Sequence, residues 1–100
     1  MIVIIPYDGV DEAVDITNDT IYGLNNAVVG ADQDAAMEVA SRLRSGQVQV
    51  NSLKGSPMTP FGGYKQSGDG REWGTYGLDE FLQIKAINRP APKGKAKEKL

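Results

Sequence analysis

Tyr64, Lys65 and Ser67 place a phenol, an amine and a hydroxyl within four residues of a 100-residue sequence. Two chemistries use such groups, a Tyr/Lys proton relay and a Ser/Lys nucleophile. Neither is well served here. Neighbours in an extended chain point to opposite sides. A catalytic lysine must also be desolvated to lose its proton near neutrality, and no apolar wall flanks Lys65. The expected role of Lys65 is a loop lysine paired with a surface acid or a carbonyl. Gly68-Asp69-Gly70 followed by Gly74 suggests a phosphate cradle, but a dinucleotide fingerprint needs a buried strand before it and a helix opening on its last glycine. A Gly/Pro loop precedes it here and the third glycine is one position late, so the glycines are read as turn formers. Asp11, Glu12 and Asp15 lie on the polar face of an expected helix and are read as solvated. Phe61, between Pro60 and two glycines, belongs to no periodic stripe. It either plugs the local core or lines a pocket.

The sequence contains no cysteine and no histidine. Thiol nucleophiles, imidazole bases, disulfides and the usual zinc ligands are therefore absent, and no acid-rich calcium loop is visible, so no metal is expected. Eleven basic against 13 acidic residues give a net charge of −2, unlike a nucleic-acid binder. Residues 90–100 carry net +3 and the preceding 89 carry −5. The Pro- and Lys-rich end is read as a disordered tail. Met1–Ile5 is too short to span a membrane and lacks the flanks of a signal peptide. A cytoplasmic protein with no nucleic-acid or membrane partner is expected.

The elements that must carry these residues follow from periodicity. Ile2–Ile5 is continuously apolar and reads as a strand buried on both faces. Asp8 is the expected N-cap of a helix with Val10, Ala13, Val14 and Thr17 on its inner side. Asn18-Asp19-Thr20 stops it, Gly23 marks a turn, and residues 25–30 read as a short strand. Asp32 caps a second helix whose stripe is Ala35, Ala36, Val39, Ala40 and Leu43, with Arg42 and Arg44 at its end and Gly46 as the C′ residue. Gln47–Asn51 alternates as a strand. Residues 52–70 have no apolar period. A loop of this length in a small domain is usually functional or disordered. Arg71–Tyr76 reads as a helical turn, with Trp73, Tyr76 and Phe81 packing together beneath the loop and Arg71-Glu72 a surface pair. Residues 82–86 alternate as a last strand. The order β-α-β-α-β-loop-β predicts an α/β architecture with a partly parallel sheet. On chemistry alone no complete active site is present.

Pro60-Phe61-Gly62-Gly63-Tyr64-Lys65-Gln66-Ser67-Gly68-Asp69-Gly70-Arg71-Glu72, followed by Gly74 and Tyr76-Gly77-Leu78, closely resembles the C-terminal signature of the NAD(P)-dependent aldehyde dehydrogenase superfamily. Ile4-Ile5-Pro6-Tyr7, Asn18-Asp19-Thr20 with Tyr22-Gly23-Leu24, and Gly46–Asn51 resemble family segments in order and spacing. The resemblance implies an NAD(P)-dependent oxidation of an aldehyde to a carboxylic acid, through a cysteine thiohemiacetal and with NAD or NADP as cofactor. It also implies that the nucleophile, the general-base glutamate and the oxyanion-hole asparagine lie upstream of the matched region. The chain is therefore expected to be inactive alone and to bind no cofactor alone.

Residue by residue, the resemblance makes Phe61 a wall of the substrate tunnel and puts Asn51 and residues 52–59 beside it. Gly62, Gly63, Lys65, Gly68, Gly70, Arg71 and Glu72 become the structural signature, with no catalytic, cofactor-binding or metal residue carried over. It divides the chain into residues 1–81, the C-terminal part of the catalytic domain; 82–89, an oligomerisation strand reaching a neighbouring subunit; and 90–100, the basic tail. At Gln83 many relatives have a glutamate that engages arginines at the dimer interface. Three roles follow: a family remnant, a subunit complementing an upstream piece, and an interaction module that binds intact relatives. Each anticipates self-association or association with dehydrogenase subunits, and an aldehyde substrate only after complementation.

Overall fold

In a computed structural model describing residues 1–52 and 54–94, the elements run α1 (Val10–Asn18), β1 (Tyr22–Gly23), β2 (Asn25–Val28), α2 (Gln33–Arg42), β3 (Gln47–Val50), β4 (Tyr64–Lys65) and α3 (Gly74–Asp79). The β2–α2–β3 crossover is the centre. β2 and β3 pair in parallel, from Asn25 opposite Gln47 to Val28 opposite Val50. This is the parallel pairing expected of alternating β-α-β segments. A second ribbon, not anticipated from the sequence, pairs β1 antiparallel with β4. The two ribbons meet where the Gly46 and Gln47 amides donate to the carbonyls of Gly23 and Leu24, at 3.0 and 3.1 Å.

α2 begins as its sequence predicts. Asp32 Oδ1 accepts from the amides of Asp34 and Ala35 at 3.0 and 3.2 Å, a cap that contributes about 1 kcal/mol. Ala36 and Leu43 are buried and Val39 and Ala40 half-buried, whereas Ala35 faces solvent. Arg42 reaches Asp11 on α1 at 2.7 Å; both side chains are exposed, so the pair contributes about 0.2–1 kcal/mol at most. Ser45 is buried and satisfied, donating to the Gln47 carbonyl and accepting from Asn26 Nδ2.

Several expectations are corrected. Asp8 does not cap α1. The N-cap is Gly9 without a side-chain bond, and Glu12 Oε2 accepts the Asp8 amide at 2.7 Å, so the carboxylate that reaches back is in the first helical turn. Gly46 is not the C′ residue of α2, which ends at Leu43 in extended backbone. Its glycine is required because any Cβ there would overlap the Gly62 carbonyl. Gly23 is no turn but a buried position in β1.

Ile2–Ile5 and Leu82–Ile87 form no strand in the described residues. Ile2, Ile4, Ile84 and Ile87 are 84% or more exposed. Backbone groups of a strand need a neighbour to pair with, and none meets either segment. Their apolar character reports what they are suited to be buried by; the burying layer is not formed within these residues. The buried apolar set is accordingly small: Val14, Ala36 and Leu43 among the described residues. The radius of gyration is 21.1 Å, with extents of 72 × 29 × 23 Å, against about 13 Å for a compact domain of this length. Of the expected tail 90–100, residues 95–100 lie outside the described residues.

Candidate functional site

The glycine-rich signature folds as a clipped loop. Phe61 and Glu72 exchange two backbone hydrogen bonds, Phe61 N–H to Glu72 O at 2.8 Å and Glu72 N–H to Phe61 O at 2.7 Å. Inside the clip, Arg71 Nη1 donates to the carbonyls of Gly63 and Gly70 at 3.0 and 2.8 Å and lies 3.4 Å from that of Asp69. The guanidinium is thereby spent on backbone oxygens. The expected Arg71-Glu72 ion pair does not form; what Glu72 gives the clip is its main chain. Arg44 and Arg71 approach the Tyr64 ring to 5.4 and 5.7 Å, each contact contributing about 0.5–1 kcal/mol at an exposed site.

Lys65 and Ser67 are committed to structure. Lys65 Nζ donates to the carbonyls of Asn18 and Thr20 at 2.8 and 3.0 Å, the carbonyl pairing expected of it. Those oxygens close the C-terminal end of α1, where a cation is favoured. Ser67 Oγ accepts the Gly23 amide at 2.9 Å. Neither a proton relay nor a Ser/Lys nucleophile is assembled. Asn18, expected to stop the helix, joins three segments: Oδ1 accepts the Arg44 amide, Nδ2 donates to Arg42 O, and its carbonyl accepts from Lys65.

Phe61 is half-buried and forms a wall shared by two cavities. One, of about 610 Å³, is lined by Leu24, Gly62, Gly70, Arg71, Glu72 and Phe81 among others. The second, of about 290 Å³, is lined by Gln47, Gln49, Pro57 and Trp73. The indole of Trp73 lies 5.1 Å from the Phe61 ring, tilted by 36°. The expected cluster of Trp73 with Tyr76 and Phe81 does not form. Tyr76, on α3, and Phe81, in the turn after it, are 59% and 88% exposed. Trp73 was missed as a special position. It holds φ 65° with ψ 158°, a positive-φ extended conformation essentially reserved for glycine, which costs another residue about 1–3 kcal/mol. The signal available in the sequence was the glycine that follows it.

Asn51 also holds a positive φ, 52°, which asparagine tolerates. Its Oδ1 accepts the Gly30 amide at 2.9 Å and ties the ends of β2 and β3. It lines a separate cavity of about 540 Å³ with Val29, Ser52 and Lys54. The structure therefore does not bring Phe61 and Asn51 to one cavity.

The glycine run Gly68–Gly74 does not form a dinucleotide fingerprint. After Gly70 the chain enters the Phe61–Glu72 pairing rather than a helix N-terminus, and α3 opens on Trp73 without a side-chain cap. No buried side-chain nitrogen or oxygen among the described residues is left without a partner. They hold no cluster of three metal-ligating side chains, and no helix among them is long and apolar enough to cross a membrane.

The fold and site together define a mixed α/β segment that presents an aromatic wall on an arginine-clipped glycine loop, in a sequence without cysteine. Residues 1–87 match the aldehyde dehydrogenase family, and the chain belongs to it. A mutant of aldehyde dehydrogenase C from Pseudomonas syringae, solved with NAD+ and octanal, superposes with a TM-score of 0.80 at 57% identity, over 83% of this chain and 17% of its own. An aldehyde dehydrogenase of Mycobacterium tuberculosis, solved with NAD+, gives 0.83 at 40% identity, over 86% and 18%. A Staphylococcus haemolyticus protein named for the aldehyde dehydrogenases is 49% identical over 84 residues, covering 84% of this chain. The chain spans 18% of that relative's length.

Proposed function

We propose that these residues act as the C-terminal part of an NAD(P)-dependent aldehyde dehydrogenase and complete it by docking onto an upstream portion that supplies the chemistry. The observation that carries this reading is close similarity at low coverage. The Pseudomonas syringae enzyme is matched at 57% identity and a TM-score of 0.80 over only 17% of its chain. The exposed run Ile2–Ile5 supports it, since a segment apolar on both faces suits the interior of a larger sheet.

In the completed enzyme Phe61 lines the aldehyde's passage and Asn51 stands beside it, so both bear on substrate choice. Relatives solved with NAD+ favour that cofactor, which residues outside these 100 would hold. The thiolate that attacks the aldehyde belongs to the upstream portion as well, because this sequence has no cysteine. Leu82–Ile87 serves as the oligomerisation strand, with the neutral Gln83 amide keeping a hydrogen bond where a carboxylate would form an ion pair. Its exposed isoleucines favour self-association or association with dehydrogenase subunits in the cytoplasm.

The purified chain, offered aldehydes with NAD+ or NADP+, is expected to produce no reduced cofactor. Reduction that follows this polypeptide through successive purification steps would overturn the reading.

A further inference from the structure

We propose that Trp73 is a positioning residue that sets the reach of the Phe61 ring. Its consequence for the width offered to an aldehyde rests on the reading of Phe61 as a passage wall. Three observations converge on the indole. The backbone takes positive φ at two consecutive residues, Trp73 at φ 65° with ψ 158° and Gly74 at φ 60°. A side chain at Gly74 would strike the Met58 carbonyl, so the turn has one close-packed path. The residue before it, Glu72, is bonded in both directions to Phe61. Trp73 is therefore held one residue from the clip, in a conformation its side chain disfavours, and its ring is delivered 5.1 Å from that of Phe61. An aromatic residue persists in such backbone only where its surroundings determine it, and such positions concentrate at functional sites.

The cavities give the contact a direction. Phe61 borders both, whereas Trp73 lines only the smaller. Seen from the larger cavity, the indole stands behind Phe61 and occupies the space into which that ring would otherwise retreat. Removing it joins the indole's volume to the 290 Å³ cavity. The Phe61 ring then falls back and the larger cavity widens.

Fluorine NMR of the full chain labelled with 4-fluorophenylalanine tests this. The sequence has two phenylalanines, and Phe81, 88% exposed, supplies a solvent reference in the same spectrum. In the unmutated chain the Phe61 signal is expected away from the Phe81 signal. Trp73→Ala should move it at least halfway to the reference, and Trp73→Phe should keep most of the displacement. A Phe61 signal unmoved by Trp73→Ala, or already at the reference in the unmutated chain, would overturn the proposal. Should Trp73→Ala lose its helical circular dichroism, the decision passes to the single tryptophan. Phe61→Leu must then shift its emission to the red, and unchanged emission counts against the contact. None of these readouts involves substrate. A ring that moves in the spectrum, together with unchanged aldehyde preference for Phe61→Ala in a completed enzyme, would refute the passage reading while leaving the positioning role intact.

Discussion

Arg71→Ala should open the signature loop while leaving the β2–α2–β3 crossover closed. In the structure the guanidinium holds two well-formed bonds, to Gly70 O at 2.8 Å and to Gly63 O at 3.0 Å. The 3.4 Å approach to Asp69 O is too long to count for much. A hydrogen bond from a charged donor contributes about 1.5–3 kcal/mol when shielded, and less in water. The Gly63 contact is part-buried and is assigned about 1.5–2 kcal/mol; the Gly70 contact is exposed and is assigned about 0.5–1 kcal/mol on the same scale. Together they place the loss at about 2–3 kcal/mol, roughly a 30- to 150-fold change in the opening equilibrium. Native-state amide exchange reads this directly at Phe61 and Glu72, whose paired amides close the clip. Both should lose protection by about that factor, or to full exposure if the clip is less stable than that. The amides of Gln47 and Asn51, which donate to Leu24 O and Val28 O, should not change. Arg71→Lys should recover about half of the loss in free energy, because one ammonium cannot span carbonyls arranged for a planar guanidinium. Protection at Phe61 that falls less than about threefold would refute the arithmetic. Equal loss at Asn51 would show that Arg71 supports the whole fold rather than the loop.

Gly46→Ala should destabilise the chain by about 1–3 kcal/mol or more, since its methyl group overlaps the Gly62 carbonyl. Gly55→Ala, which meets only Gln49 Nε2 at 3.9 Å, should stay within about 0.5 kcal/mol; equal effects in urea titration would contradict the close approach. Asp32→Ala removes the α2 cap and should lower stability by about 1 kcal/mol, with Asp32→Asn largely restoring it. The chain at micromolar concentration should sediment above its monomer mass, because open strand edges and exposed apolar runs favour association. Ile4→Lys combined with Ile84→Lys should shift it toward monomer, and a monomer before any substitution would remove the argument.

What the sequence made legible is what is specified locally. The Asp32 cap, the α2 stripe apart from Ala35 and the strand at Gln47–Val50 each sit within a few residues of the structure they produce, and these formed. All four strand residues are nevertheless half-buried rather than alternating. The β1–β4 ribbon was invisible because strands of two residues have no period, and their pairing joins Tyr22 to Lys65 across the chain. Ile2–Ile5 and Leu82–Ile87 failed for a different reason. Their patterns describe a buried environment, and the described residues do not supply one. At the site, the signature marked Arg71 as structural and expected Glu72 as its neighbour in charge. Only the folded turn shows that the Gly63 and Gly70 carbonyls take the guanidinium. Trp73 was read as one more apolar residue, since nothing in its type announces positive φ; only the adjacent Gly74 hinted at it.

Reconstitution tests the central claim most directly. The upstream part of the wild-type Pseudomonas syringae aldehyde dehydrogenase, ending where the match to this chain begins, should be co-expressed with these 100 residues under separate tags. The account predicts a complex that survives purification on either tag and reduces NAD+ in the presence of aldehyde, while each part alone does not. Two parts that purify separately, with no aldehyde-dependent reduction on mixing or co-expression, would contradict it.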